Sequence, residues 1–358
     1  MNGIITEGWI YNEIDQDIET SRKLTVEAYD GSLQYDPVTK AFQVYKIFKN
    51  LPNQTDKLVE ILCFRGNRSR DVCVNTFFAI FNRSILRMIV EYVSTPLKEF
   101  LYYLCLPAAL RNAKVLHFCL HSNLTPKKRN EIIADIICTS PSKRLKHILK
   151  VYPLQYKLTL YNDLKNVYSP NTDRAYEFMK LILIKVTTYS FPGINITLLN
   201  YDYLRLITLF KEEDLQLLIT IFGARSKEHV ASLFLKFNQT YNVNLIEKIA
   251  KEKFISDEVT ALIKAKIKYC HSPWEYQVIK LYSKCGSIFK NTNHDFYRYL
   301  IKSFDNGDLK IKTVFKTKNK KSIEDVLKSQ KIASEITKAI IHFVNSEPFE
   351  DCDEVIDV

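Results

Sequence analysis

Glycine is scarce in this chain. Eight glycines and eleven prolines in 358 residues are too few for the turn-dense chains of a β-sandwich or barrel. Helix-period patterning runs throughout, so an all-α protein is expected. No apolar run is long enough to span a membrane, and no basic segment followed by an apolar run opens the chain, so no signal peptide is expected. None of the eight cysteines forms a C-x-x-C pair, and most sit in apolar stretches such as that around Cys105. Such cysteines are usually buried thiols in a reducing, cytosolic setting. His271 beside Cys270 is too little for zinc, and the histidines read as scattered singly. No P-loop, H-E-x-x-H, nucleophile elbow or paired-carboxylate motif is present, which argues against an enzyme.

Charge is unevenly spread. The net +11 hides acidic ends: residues 1–30 carry −5 and residues 347–358 carry −6, which leaves +22 on the body between them. A basic body suits an anionic partner, whether a phospholipid surface, a nucleic acid or an acidic filament. No nucleic-acid-binding motif accompanies the charge, so nucleic acid is not expected.

One pattern recurs four times. An aromatic residue is followed eight and twelve positions later by two aliphatics: Phe77 with Ile85 and Ile89, Tyr152 with Leu160 and Leu164, Phe237 with Leu245 and Ile249, Phe315 with Ile323 and Leu327. Three copies add a second aromatic four residues after the first, at Phe81, Tyr156 and Tyr241. A fixed long period means stacked units that share a buried core, so the four leading aromatics are expected to be buried.

Each unit reads as five helices. A short helix and a polar loop precede an apolar helix, as in Leu58 to Phe64 or Leu215 to Phe222. A tight turn follows, at Gly66 in the first unit and Gly223-Ala224-Arg225-Ser226 in the third. Then come the helix with the aromatics, the helix with the aliphatics and a last apolar helix. The expected organisation is an acidic tail over 1–35 anchored by Trp9 and Ile10, modules over 36–110 and 111–187, and a linker over 188–200. Two further modules cover 201–272 and 273–346, before an acidic tail over 347–358. The extra length between the second and third modules suggests that the four are grouped two and two.

Four five-helix repeats with a longer middle connection resemble the annexin family. "ITIFGARSKEHVASLFLKF" (Ile219 to Phe237) looks like helices two and three of an annexin third repeat. "RGNRSRDVCVNTFFAIFNRSIL" (Arg65 to Leu86) is similar to the matching part of a first repeat, and "IICTSPSKRLKHILKVYPLQY" (Ile136 to Tyr156) to a degraded second. The fourth is the most diverged. The resemblance covers residues 38–346 and implies a curved disc. The Lys/Ile/Asn/Tyr bias is like that of protist members such as the giardin-like annexins.

Annexins bind calcium, and through it acidic phospholipid, with carbonyls of a glycine-rich loop between the first two helices and a bidentate acid about forty residues later. Carried over, the loops are Lys49 to Asn53, Leu124 to Lys127, Phe210 to Asp214 and Lys290 to Asn293, and none keeps a glycine. The acid position holds Tyr92, Val167, Glu252 and Gln330 in turn. The resemblance therefore implies lost sites in repeats one, two and four, with Glu91 as the nearest acid to a rescue. One weak calcium site is left in repeat three, built from Glu252, Glu258, Glu212 and Asp214. Those acids equally suit helix capping or pairing with Lys211, Lys251 and Lys253. Lys127, Lys128, Arg129 and Lys290 occupy vacated loops and are candidate phospholipid contacts.

Two functions follow from the resemblance. One is a cytoplasmic, peripheral membrane protein on acidic phospholipid with weakened or partly lost calcium dependence. The other is a cytoskeleton-associated scaffold using the same fold for protein contacts.

Overall fold

The computed structural model describes residues 14–21, 36–51, 54–64, 66–95, 97–168, 174–187, 193–285, 293–305, 310–329 and 334–346. Among them there is no strand. A helix over residues 14–21 (α1) precedes four runs of five. The first run is α2 (Pro37–Lys49), α3 (Thr55–Leu62), α4 (Asn67–Phe81), α5 (Ile85–Tyr92) and α6 (Leu97–Cys105). The second is α7 (Ala108–His121), α8 (Pro126–Ile137), α9 (Ser142–Tyr156), α10 (Leu160–Val167) and α11 (Ala175–Thr187). The third is α12 (Ile196–Glu212), α13 (Leu215–Ala224), α14 (Lys227–Tyr241), α15 (Leu245–Lys251) and α16 (Asp257–His271). The fourth is α17 (Pro273–Cys285), α18 (Asn293–Asp305), α19 (Lys310–Asn319), α20 (Ile323–Ser329) and α21 (Ser334–Asn345). The expected all-α architecture of four five-helix modules is the one the chain adopts.

The repeated register positions the cores. Phe77, Tyr152, Phe237 and Phe315 are all buried, as are the eight paired aliphatics. In three modules the leading aromatic packs on the ring one helical turn later, with centroids 5.0 Å apart for Phe77–Phe81, 5.1 Å for Tyr152–Tyr156 and 4.9 Å for Phe237–Tyr241. Residues four apart share a helix face, so this spacing builds a ring pair that spans the module core.

The two compact units of the chain cut across the sequence order. One comprises residues 1–112 and 277–358, and so holds the first and fourth modules; the other comprises 113–276 and holds the second and third. The segment 188–200 therefore does not divide the molecule: the modules on either side of it share one unit. Its residues 196–200 already belong to α12, while 188–192 lie outside the described residues.

In the unit of modules one and four, Phe100 packs 5.6 Å from Tyr297 and 6.1 Å from Phe343. Beside them Arg70, 1% exposed, pairs with Asp305 at 2.5 Å and donates from Nε to the Leu104 carbonyl at 3.1 Å. Burial alone would lower the pKa of this guanidinium, but the Asp305 charge and hydrogen bond outweigh it and raise it. The N-terminal stretch, expected as a tail, contributes α1 to the same unit. Ile14, Asp17, Thr20 and Ser21 are buried there, and the Tyr102 hydroxyl donates to Asp17. Trp9, Ile10 and the acidic segment 347–358 lie outside the described residues.

In the unit of modules two and three, Asp202 on α12 is buried against Arg225, which binds both its oxygens at 2.5 and 3.0 Å. Gly223 is a helix residue rather than part of the expected turn. A Cβ there would come within 3.1 Å of the Leu181 side chain, so glycine allows α13 to approach α11 closely. The turn itself is Arg225–Ser226. Gly66 does what its sequence position suggests, entering α4 at φ +119°.

Candidate functional site: the loops joining the first two helices of each module

Tyr92, Val167 and Glu252 occupy one structural position. Each follows the first paired aliphatic of its module by seven residues: Tyr92 and Val167 are the last residues of α5 and α10, and Glu252 is the C-cap of α15. What lies opposite them differs in each module.

In module one the Tyr92 ring, 53% exposed, packs 6.4 Å from Phe48 near the end of α2. An aromatic contact thus spans the first and fourth helices. The end of α2 is closed internally: the Asn50 side chain donates to the Lys46 carbonyl at 2.9 Å and its backbone N–H to that of Ile47. Glu91 is exposed on α5.

In module two the loop is Ser122 to Thr125, so Pro126 and Lys127 belong to the first turn of α8 rather than to the loop. Proline suits that turn, and Thr125 caps it by accepting from the Lys128 N–H at 3.4 Å. Arg129 reaches back under the loop. It donates from Nε to the Cys119 carbonyl at 3.1 Å, and from Nη2 to the carbonyls of Ser122 at 3.3 Å and Leu124 at 3.4 Å. Its planar fork thereby gathers three carbonyls that converge at the end of α7. Arg129, a candidate lipid contact, clasps the loop through these hydrogen bonds. Lys127 and Lys128 remain exposed on the first turn. The Val167 side chain carries no oxygen.

In module three only Glu213 and Asp214 separate α12 from α13. Asp214 caps α13 by accepting from the Leu217 N–H at 2.9 Å, and lies 3.7 Å from Arg205. Glu252 pairs with Lys248 at 2.5 Å, rather than with Lys251 or Lys253. The same ammonium sits 5.1 Å over the Phe210 ring at the end of α12. Glu258 is in the first turn of α16, where the helix dipole favours an acid, and Glu212 is exposed at the end of α12. No three of these four acids have ligand atoms that all lie within 4.8 Å of one another. Among the described residues, the one group of three His, Cys, Asp or Glu whose ligand atoms all lie within 4.8 Å of one another is in module two.

In module four, Lys290 and Gln330 lie outside the described residues.

No protein-family model matches the chain. It is 22% identical over 326 residues to annexin A5 of Macaca fascicularis, a match covering 90% of this chain and 98% of that protein. Its fold is similar to that of annexin III, with a TM-score of 0.76 at 18% identity over 90% of this chain and 97% of the other. It is also similar to calcium-bound alpha-14 giardin, with a TM-score of 0.67 at 14% identity over 87% and 100%. The chain has the annexin fold, and its sequence is similar to annexins along most of its length.

Against the annexin calcium pattern the donor chemistry does not fit in modules one and two. Calcium takes six to eight oxygens, and neither Tyr92 nor Val167 supplies a carboxylate. In module three the one carboxylate in register is held by an ammonium. Each of these three places bridges its helices with an organic group instead: a ring pair, a guanidinium or a lysine. The sequence reading missed Arg129 and Lys248 in these roles. Lys248 was findable, four residues before Glu252 on the same helix face. The Arg129 clasp depends on the fold of the loop.

Among the described residues no single helix is long and apolar enough to cross a membrane.

Proposed function

We propose that this annexin-like chain is a cytoplasmic, peripheral membrane protein that binds acidic phospholipid through lysines, with little or no dependence on calcium. The observation that carries the reading is the second module, where Arg129 engages the loop carbonyls and leaves Lys127 and Lys128 outermost. Two cations at a helix N-terminus are unfavourable by themselves, because that end already carries positive partial charge. A phosphate placed there relieves both the dipole and the lysines. Each lysine near an anionic bilayer contributes about 1 kcal/mol. Lys290 is proposed as a further contact of the same kind. Glu252, Glu258, Glu212 and Asp214 are proposed as at most a weak calcium site. A non-enzymatic role accords with the absence of catalytic motifs. The seven described cysteines are buried and outside any disulfide, which accords with a reducing compartment.

Cosedimentation with vesicles containing phosphatidylserine tests this. In chelator, the wild type is expected to bind these vesicles, to ignore neutral ones and to release as salt rises. Replacing Lys127 and Lys128 together by Gln is expected to weaken binding about 30-fold, from about 2 kcal/mol at ten-fold per 1.4 kcal/mol. No binding under any condition would instead support the cytoskeletal scaffold.

A further inference from the structure

The second module replaces part of its aromatic core with a polar cluster that the loops do not explain. In module one Tyr45 stacks 4.2 Å from Phe81 and lies 6.4 Å from Phe77, and Met88 is buried three residues after Ile85. The matching places in module two hold His117, Tyr156, Tyr152 and Asp163. His117 and His121 are one turn apart on α7, with ring centroids 4.2 Å apart, and Asp163 reaches them from α10. His121 Nε2 is 3.1 Å and His117 Nδ1 3.6 Å from the same oxygen, Oδ2 of Asp163. The Asp163 side chain is 1% exposed, and its other oxygen, Oδ1, is buried with no hydrogen-bond partner. Burying a carboxylate with one oxygen unsatisfied is costly, and module one shows that the fold does not need one there.

We propose that this cluster binds one divalent transition-metal ion of the zinc class, through His117 Nδ1, His121 Nε2 and Asp163. With metal–ligand bonds of 2.0–2.1 Å, the ligand atoms of a tetrahedral zinc site lie about 3.3 Å apart. Two of the three separations here, 3.1 and 3.6 Å, bracket that value, and all three lie within 4.8 Å. Two imidazoles and one carboxylate select zinc over calcium or magnesium, which prefer all-oxygen shells. The Tyr152 hydroxyl donates to Asp163 Oδ2 at 2.5 Å, the kind of outer hydrogen bond that orients a ligating carboxylate. The Tyr156 ring stacks on His117 with centroids 3.7 Å apart and fixes its plane. His121, 48% exposed, gives the ion a way in and leaves a fourth position for water.

Isothermal titration of the chelator-stripped full chain with zinc chloride tests this, with calcium chloride run in parallel. One equivalent of zinc is expected, undisplaced by millimolar calcium. Asp163 is buried and its removal endangers the fold, so His121→Ala is the diagnostic variant and His342→Ala, at an exposed position on α21, the control. His121→Ala is expected to lose at least about 100-fold in zinc affinity while keeping its helical circular dichroism, and His342→Ala to bind as wild type. Cobalt(II) in place of zinc is expected to give the visible absorption of a four-coordinate site in wild type and not in His121→Ala. Failure of wild type to bind one equivalent, or unchanged zinc affinity in His121→Ala, overturns the assignment. Neither result bears on how the protein meets lipid.

Discussion

Replacing Asp305 with Ala is expected to cost about 3–5 kcal/mol of stability, because it leaves a guanidinium buried without its countercharge. Arg70 is 1% exposed, its closest acid is Asp305 at 2.5 Å, and Arg111 Nη1 lies 3.7 Å from the other Asp305 oxygen. Removing the acid therefore takes the paired countercharge from Arg70 and a nearby one from Arg111. The backbone carbonyls of Phe64 and Leu104 accept from Arg70 but do not balance its charge. The double replacement Arg70→Met with Asp305→Leu is expected to be much closer to wild type, because it removes the desolvation cost together with the attraction. Urea unfolding of the three proteins reads the difference. Equal losses for the single and double variants would mean that packing, not charge, governs this part of the core.

The second large effect is expected at the repeated aromatics. Phe77→Ala is expected to destabilise the protein by about 3–5 kcal/mol, through lost burial and the cavity left between Tyr45 and Phe81. Tyr241→Ala, at a ring that is 41% exposed on α14, is expected to cost about 1 kcal/mol or less. Thermal or urea unfolding separates them. Similar costs at the two sites would mean that the eight-and-twelve register does not mark the core.

That register explains why so much of the architecture could be read from the chain. Apolar periodicity at Phe77, Ile85 and Ile89, and at the equivalent places in the other modules, is local information that burial enforces. The pairing of modules is not local. It rests on contacts such as Arg70–Asp305, 235 residues apart, which no pattern along the chain announces. The longer connection over 188–200 suggested a division that those contacts do not follow. The same limit governs the sites. Losing the calcium acid at Tyr92 and Val167 was visible from residue type, because neither side chain is a carboxylate. The Arg129 clasp was not, because Cys119, Ser122 and Leu124 present carbonyls to it only once the loop has folded. His117 and His121 were not scattered at all: their four-residue spacing places them together on α7. Asp163, the residue that completes the group, lies 42 positions after His121 and meets it through helix packing.

At these loops the annexin fold of this chain joins its helices through side chains: the Phe48 and Tyr92 rings, Arg129 and Lys248. The most direct measurement is the fraction of full-length protein bound to phosphatidylserine vesicles at fixed salt, from chelator to millimolar calcium. A lysine-based attachment predicts substantial binding in chelator and a nearly flat response to calcium. Absence of binding in chelator, with attachment appearing only as calcium is added, would contradict it.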